Sequence, residues 1–70
     1  MVESIEITVN GAPRNVPRGT SVAALLDELQ MIPKHVAVEL NLELVPRAAL
    51  AERRLSPGDR LEVVTLVGGG

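Results

Sequence analysis

Three of the six glycines in this sequence are its final three residues, Gly68, Gly69 and Gly70. A turn needs chain on both sides, so these glycines are not explained as turn residues. A frayed end or a remnant of cloning is the plain alternative. A glycine run has two physical uses. Without a Cβ its backbone enters a channel too narrow for any side chain. It also moves freely enough to visit more than one active site. From Leu66 to Gly70 the chain spans roughly 13–14 Å when extended, so the expected terminal carboxylate of Gly70 stands well clear of the domain. A carboxylate resists nucleophiles because the attack is on an anion and must expel oxide. Joining it to AMP supplies a leaving group. A sulfur donor then displaces AMP and leaves a thiocarboxylate, a strong nucleophile and a transferable sulfide. None of this asks a catalytic side chain of the chain itself.

No other residue competes for that role. With no cysteine, disulfides, thiolate metal sites and thiol nucleophiles are excluded. His35 is the single histidine. It follows Pro33 and Lys34 in an expected loop, with no partner to make it a general base. Asp27 and Glu28 are adjacent, about 100° apart on a helix, and are not a paired acid and base. Gly11, Gly19 and Gly58 fit no phosphate-cradling pattern. No metal site and no bound cofactor are expected. Seven basic residues oppose nine acidic ones, interspersed, and aromatic residues are absent. That argues against nucleic-acid binding, which needs a basic face and often stacking rings. The start, Met1 to Ser4, lacks the basic and apolar pattern of a leader. No apolar run approaches the roughly 20 residues of a membrane helix. A soluble cytoplasmic protein, monomeric when free, is expected.

The elements that must carry the tail follow from periodicity. Ile5, Ile7 and Val9 alternate with Glu6 and Thr8, a half-buried strand. Asn10-Gly11 is a strong hairpin signal, because a type I′ turn needs positive φ at both central positions. The return strand, from about Ala12 to Val16, contains Pro13 and is followed by Pro17. It belongs at a sheet edge, where a missing N–H is harmless. Ser21 or Thr20 caps a helix whose stripe is Val22, Leu25, Leu26 and Leu29. That helix is expected to end near Gln30 or Met31, before Pro33. Val36, Val38 and Leu40 mark a third strand. Asn41-Leu42 turns into a short fourth strand at Glu43 to Val45, and Pro46 stops it. The segment from Arg47 to Arg53 is expected to hold one helical turn packing Leu50 inward. Ser56-Pro57-Gly58-Asp59 is a turn. The last strand runs from Arg60 to about Leu66. It is apolar on one face (Leu61, Val63, Val67) and partly on the other (Val64, Leu66), so it is central.

The pattern predicts an α+β fold: a mixed four- to five-stranded sheet with one main helix across one face. Residues 1–66 form the domain and 67–70 the tail. If Leu61 and Val63 face the helix, Val64 and Leu66 face the open side, near the tail. Ordinary sheet packing is one explanation. A patch that partner enzymes grip is the other, with Arg60 and Arg47 as its polar rim.

The segments Val36-Ala37-Val38-Glu39-Leu40-Asn41, Leu44-Val45-Pro46-Arg47, Leu55-Ser56-Pro57-Gly58-Asp59-Arg60-Leu61-Glu62-Val63-Val64 and Val67-Gly68-Gly69-Gly70, in this order, closely resemble the sulfur carrier family of thiamin biosynthesis, ThiS. Val9-Asn10-Gly11 and Gly19-Thr20-Ser21-Val22 look like the same family, so the resemblance covers nearly the whole chain. It implies the ubiquitin-like β-grasp fold and a carrier rather than an enzyme. It also implies partners. An adenylyltransferase resembling ubiquitin-activating enzymes would use ATP and magnesium to adenylate Gly70. A cysteine desulfurase or related donor would supply sulfur, and thiazole synthase would consume the thiocarboxylate. Gly69-Gly70 matches the family's diglycine. Leu42 departs from it, standing where many relatives have glycine, so this turn is free to differ in type. Leu50 stands where an aromatic is common. Two other readings stay open: a carrier for molybdopterin or another sulfur-transfer pathway, and a β-grasp interaction module without covalent chemistry.

Overall fold

Alternating side chains need a layer to bury them, and the helix supplies it. The structure, a computed structural model, describes residues 3–66. Strands β1 (Ser4–Val9) and β2 (Ala12–Pro17) form the first hairpin. Helix α1 spans Val22–Glu28. Strands β3 (Val36–Leu40), β4 (Glu43–Leu44) and β5 (Arg60–Thr65) complete the set. The sheet order is β2-β1-β5-β3-β4. Only β1 and β5 run parallel; the other neighbours are antiparallel. This is the mixed sheet with one main helix that the pattern predicts, in the β-grasp arrangement that the resemblance implies. The proline-bearing β2 lies at an edge and β5 in the centre, as expected.

One face of the sheet is the core. Ile5, Ile7, Val16, Val38, Leu40, Leu61 and Val63 meet Val22, Leu25 and Leu26 of the helix, with Val45, Leu50 and Leu55 closing the sides. Every buried side chain in the core is apolar. That suits a domain too small to offset unpaired buried polar groups.

The helix ends are satisfied in three ways. Ser21 Oγ accepts from Ala24 N–H at 3.0 Å. Val22 and Ala23 N–H groups donate to the carbonyls of Arg53 and Leu50, so the segment after β4 caps the helix it packs against. At the other end Gln30, with φ 61, turns the chain out of the helix. Gln30 N–H donates to Asp27 O, and Met31 N–H to Leu26 O, the double bond of a Schellman motif. The helix therefore stops at Glu28, short of the expected Gln30 or Met31, because a left-handed residue ends it before Pro33 can. Replacing Ser21 by alanine is expected to cost about 1 kcal/mol. In a domain of this size that lowers the unfolding temperature by about 4–8 °C, readable by circular dichroism.

Two short 3-10 turns complete the connections, Pro33–His35 between α1 and β3 and Arg47–Ala49 between β4 and β5. The second is the helical turn expected to bury Leu50, and Leu50 is buried. The first corrects the expected loop around His35: Pro33 presets φ and His35 N–H closes the turn onto Ile32 O. Strand β4 ends at Leu44, one residue before the expected Val45, although Val45 N–H still bonds Val38 O.

Candidate functional site

The tail leaves from β5, so what holds β5 sets where the tail starts. Two asparagines hold it from opposite sides, each in a left-handed conformation at the first position of a two-residue hairpin loop (φ 51 at Asn10, 53 at Asn41). On the β1 side, Asn10 N–H donates to Leu61 O. Its side chain then continues the ladder. Oδ1 accepts from Val63 N–H at 2.8 Å, and Nδ2 donates to Val63 O at 3.2 Å. On the β3 side, Asn41 Oδ1 accepts from Arg60 N–H at 3.0 Å, and Nδ2 donates to Asp59 Oδ1 at 3.0 Å. Asp59 Oδ2 in turn accepts from Ser56 N–H, fixing the Ser56–Asp59 turn, where Gly58 has φ 84. At the far end Leu66 N–H donates to His35 O at 2.8 Å. The imidazole of His35 is exposed, so this residue serves through its carbonyl. Val67, Gly68, Gly69 and Gly70 lie outside the described residues.

The face of the sheet away from α1 carries the candidate docking residues. Val64 is 57% exposed and Leu66 50%. Register adds residues that the sequence reading did not single out: Val64 lies opposite Ala37, Glu62 opposite Glu39, and Glu39 opposite Leu44, which is 67% exposed. Arg60 shares this face but stands about 20 Å before Leu66 along the strand, with Glu62 between it and Val64. Arg47 lies elsewhere, at the start of the 3-10 turn after β4. The pairing of Glu39 with Glu62 depends on β3–β5 register, which no local pattern reports.

A concavity of about 360 Å³ opens where the two hairpin loops flank β5, lined by Thr8, Gly11, Asn41, Leu42, Arg60 and Glu62. Leu42, one of its walls, is 89% exposed. Its φ is 71, so the leucine adopts the left-handed conformation that Gly11 takes in the first hairpin (φ 84). Both central φ values of the loop remain positive. A side chain there costs about 1–2 kcal/mol, partly offset because leucine loses less chain entropy on folding than glycine. Leu42→Gly is expected to stabilise the domain by about 0.5–1 kcal/mol. Urea unfolding checks this through a higher midpoint at unchanged slope.

Residues 7–70 match the model of the ThiS family. A thiazole synthase of Paramagnetospirillum magneticum is 42% identical over 66 residues, which is 94% of this chain. The chain spans only one fifth of that protein's length. The sulfur carrier protein ThiS of Thermus thermophilus is 38% identical over 64 residues, covering 91% of this chain and 98% of that one. The crystal structure of a thiamine biosynthesis protein (ThiS) from Geobacter metallireducens superimposes with a TM-score of 0.81 at 35% identity. It covers 94% of this chain and all of that one. From the turn asparagines to the terminal glycines, this chain belongs to the ThiS family.

Proposed function

We propose that this chain is a sulfur carrier of thiamin biosynthesis and that the carboxylate of Gly70 is the group it offers. The observation that carries the reading is the reach of the family match, which extends through residue 70 and so includes all three terminal glycines. The fold supports it: β5 is pinned on both sides and ends at Thr65, three positions before the first of the terminal glycines.

The chemistry is activation followed by displacement. A Gly70 carboxylate oxygen attacks the α-phosphorus of ATP on a partner adenylyltransferase that binds magnesium, and pyrophosphate leaves. A hydrosulfide equivalent then attacks the acyl carbon. The C–S bond forms as the C–O bond to phosphate breaks, and AMP takes the electron pair. When the donor is a persulfide on a cysteine desulfurase, a further thiol must cleave the S–S bond to release the thiocarboxylate. Thiazole synthase then consumes it. The names of the similar proteins, thiazole synthase and sulfur carrier protein ThiS, favour this pathway over molybdopterin synthesis. The chain acts throughout as a substrate of other enzymes, in the cytoplasm.

The test is incubation with the organism's own adenylyltransferase, ATP, magnesium and a sulfur donor, read by intact mass. A gain equal to the exchange of one oxygen for one sulfur at the C-terminal residue is expected. No gain, in a mixture where the adenylyltransferase is shown to turn over ATP, overturns the reading.

A further inference from the structure

Of the three asparagines in the sequence, Asn10 alone is followed by glycine. Such a junction can react with itself. A base takes the proton of Gly11 N–H, and the nitrogen attacks Asn10 Cγ. The N–Cγ bond forms and the Cγ–Nδ2 bond breaks. Ammonia leaves with that electron pair and a proton returned by the base. Water then opens the cyclic imide at one of its two carbonyls. Breaking the bond to Cγ leaves aspartate. Breaking the bond to the backbone carbonyl carbon leaves isoaspartate, with the side-chain carbon inserted in the main chain. Asn15 precedes Val16 and Asn41 precedes Leu42, whose side chains crowd the attacking nitrogen. Gly11 has no side chain, and a Cβ placed there would meet nothing within 4 Å.

The fold holds this reaction back. The imide ring contains the Cα–Cβ and Cα–C bonds of Asn10, so both must turn for it to close. Both are fixed in the structure. The side-chain amide is tied to Val63, with Oδ1 accepting from its N–H at 2.8 Å and Nδ2 donating to its carbonyl at 3.2 Å. The leaving group is thus itself tethered. The backbone is held in the left-handed region, φ 51 at Asn10 and 84 at Gly11, by the tight loop between Val9 and Ala12. Cyclisation therefore waits until the loop lets go of β5, a local opening that costs less than global unfolding.

We infer that Asn10-Gly11 is a latent modification site, a self-deamidating junction locked by its clamp on β5 and released when the hairpin opens. The product does not relock. Aspartate puts a second acceptor where Nδ2 donated, facing the Val63 carbonyl with no hydrogen to share. Isoaspartate adds a carbon to a loop whose length sets the hairpin register. An opening event that reacts is recorded permanently, and β5 loses one of its two asparagine holds. The inference needs only water and this fold, and it stands whatever group the chain carries.

The test follows Asn10 by peptide mapping of the full chain, incubated in warm, mildly alkaline buffer across a guanidinium series. The reading is the mass gain of amide-to-acid exchange in the tryptic peptide ending at Arg14, with aspartate and isoaspartate separated by chromatography. In the unfolded chain Asn10 is expected to react fastest of the three asparagines. In the folded chain its rate is expected to be lower by at least about 10-fold, equivalent to an opening free energy of about 1.4 kcal/mol. The rate should rise with the unfolded fraction through the denaturation transition. A rate that stays flat through that transition overturns the lock. Reaction at Asn10 no faster than at Asn41 in the unfolded chain overturns the site. The modified chain, separated by its extra negative charge and refolded, is expected to melt at least about 4 °C below the unmodified one. An unchanged melting temperature overturns the loss of the hold on β5.

Discussion

A chain ending at Gly68, or one carrying a single alanine after Gly70, is expected to gain no measurable sulfur under conditions that convert the wild type. The reason is placement. Removing two residues withdraws the carboxylate by about 7 Å, and displacement of a reacting atom by even 1 Å can cost about 100-fold. Adding alanine leaves a carboxylate, but one on a residue with a Cβ and one position too far along. Gly69→Val tests the channel separately. It keeps length and terminal group and adds only side-chain bulk, so conversion is expected to fall by a similar factor. All three changes lie beyond β5, so the unfolding temperature should stay within a degree or two of wild type. That contrast between an intact domain and absent conversion separates a tail effect from a folding effect. Normal conversion of the truncated chain would remove the basis of the proposed function.

The fold was legible because its strands are amphipathic and its turns carry their own chemistry. Ile5 and Ile7 reach the core while Glu6 and Ser4 stay outside, as alternation requires. Pro13 and Pro17 put β2 at an edge, and apolar residues on both faces put β5 in the centre. Less of the site could be read. Local periodicity says which face a residue takes, not which residue of another strand it meets. The Glu39–Glu62 apposition and the position of Leu44 beside it come from register. The end of α1 was misplaced for a similar reason. Glutamine is not a usual left-handed residue, so nothing at Gln30 announces the Schellman motif that stops the helix there. The pattern Asn10-Gly11 announced a turn and nothing more, yet its asparagine bonds a strand 53 positions away.

That second duty of Asn10 gives the largest stability effect expected of an exposed turn residue in this domain. Asn10→Ala removes the donor and the acceptor that pair with the backbone of Val63. Each backbone group left short of a partner costs about 1 kcal/mol or more where water reaches it poorly. Alanine also tolerates φ 51 less well than asparagine, adding up to about 1 kcal/mol. A total of about 2–3 kcal/mol is expected. Against a stability of roughly 5 kcal/mol, the low end for natural domains, that is a large fraction. Urea unfolding should show the midpoint falling accordingly. Global stability alone would not separate the clamp from the turn, so amide exchange does. Glycine at position 10 removes the strain but not the loss of the side chain. Both Asn10→Ala and Asn10→Gly should therefore speed exchange at Val63 N–H more than at Ile5 N–H, in the half of β1 away from the loop. Equal acceleration at both amides would mean that the asparagine stabilises only its own turn. Selective loss at Val63 would mean that the first hairpin reaches across to fix the strand from which the glycine tail departs. In that case two hairpin asparagines, one on each side of β5, hold the strand that precedes the terminal glycines.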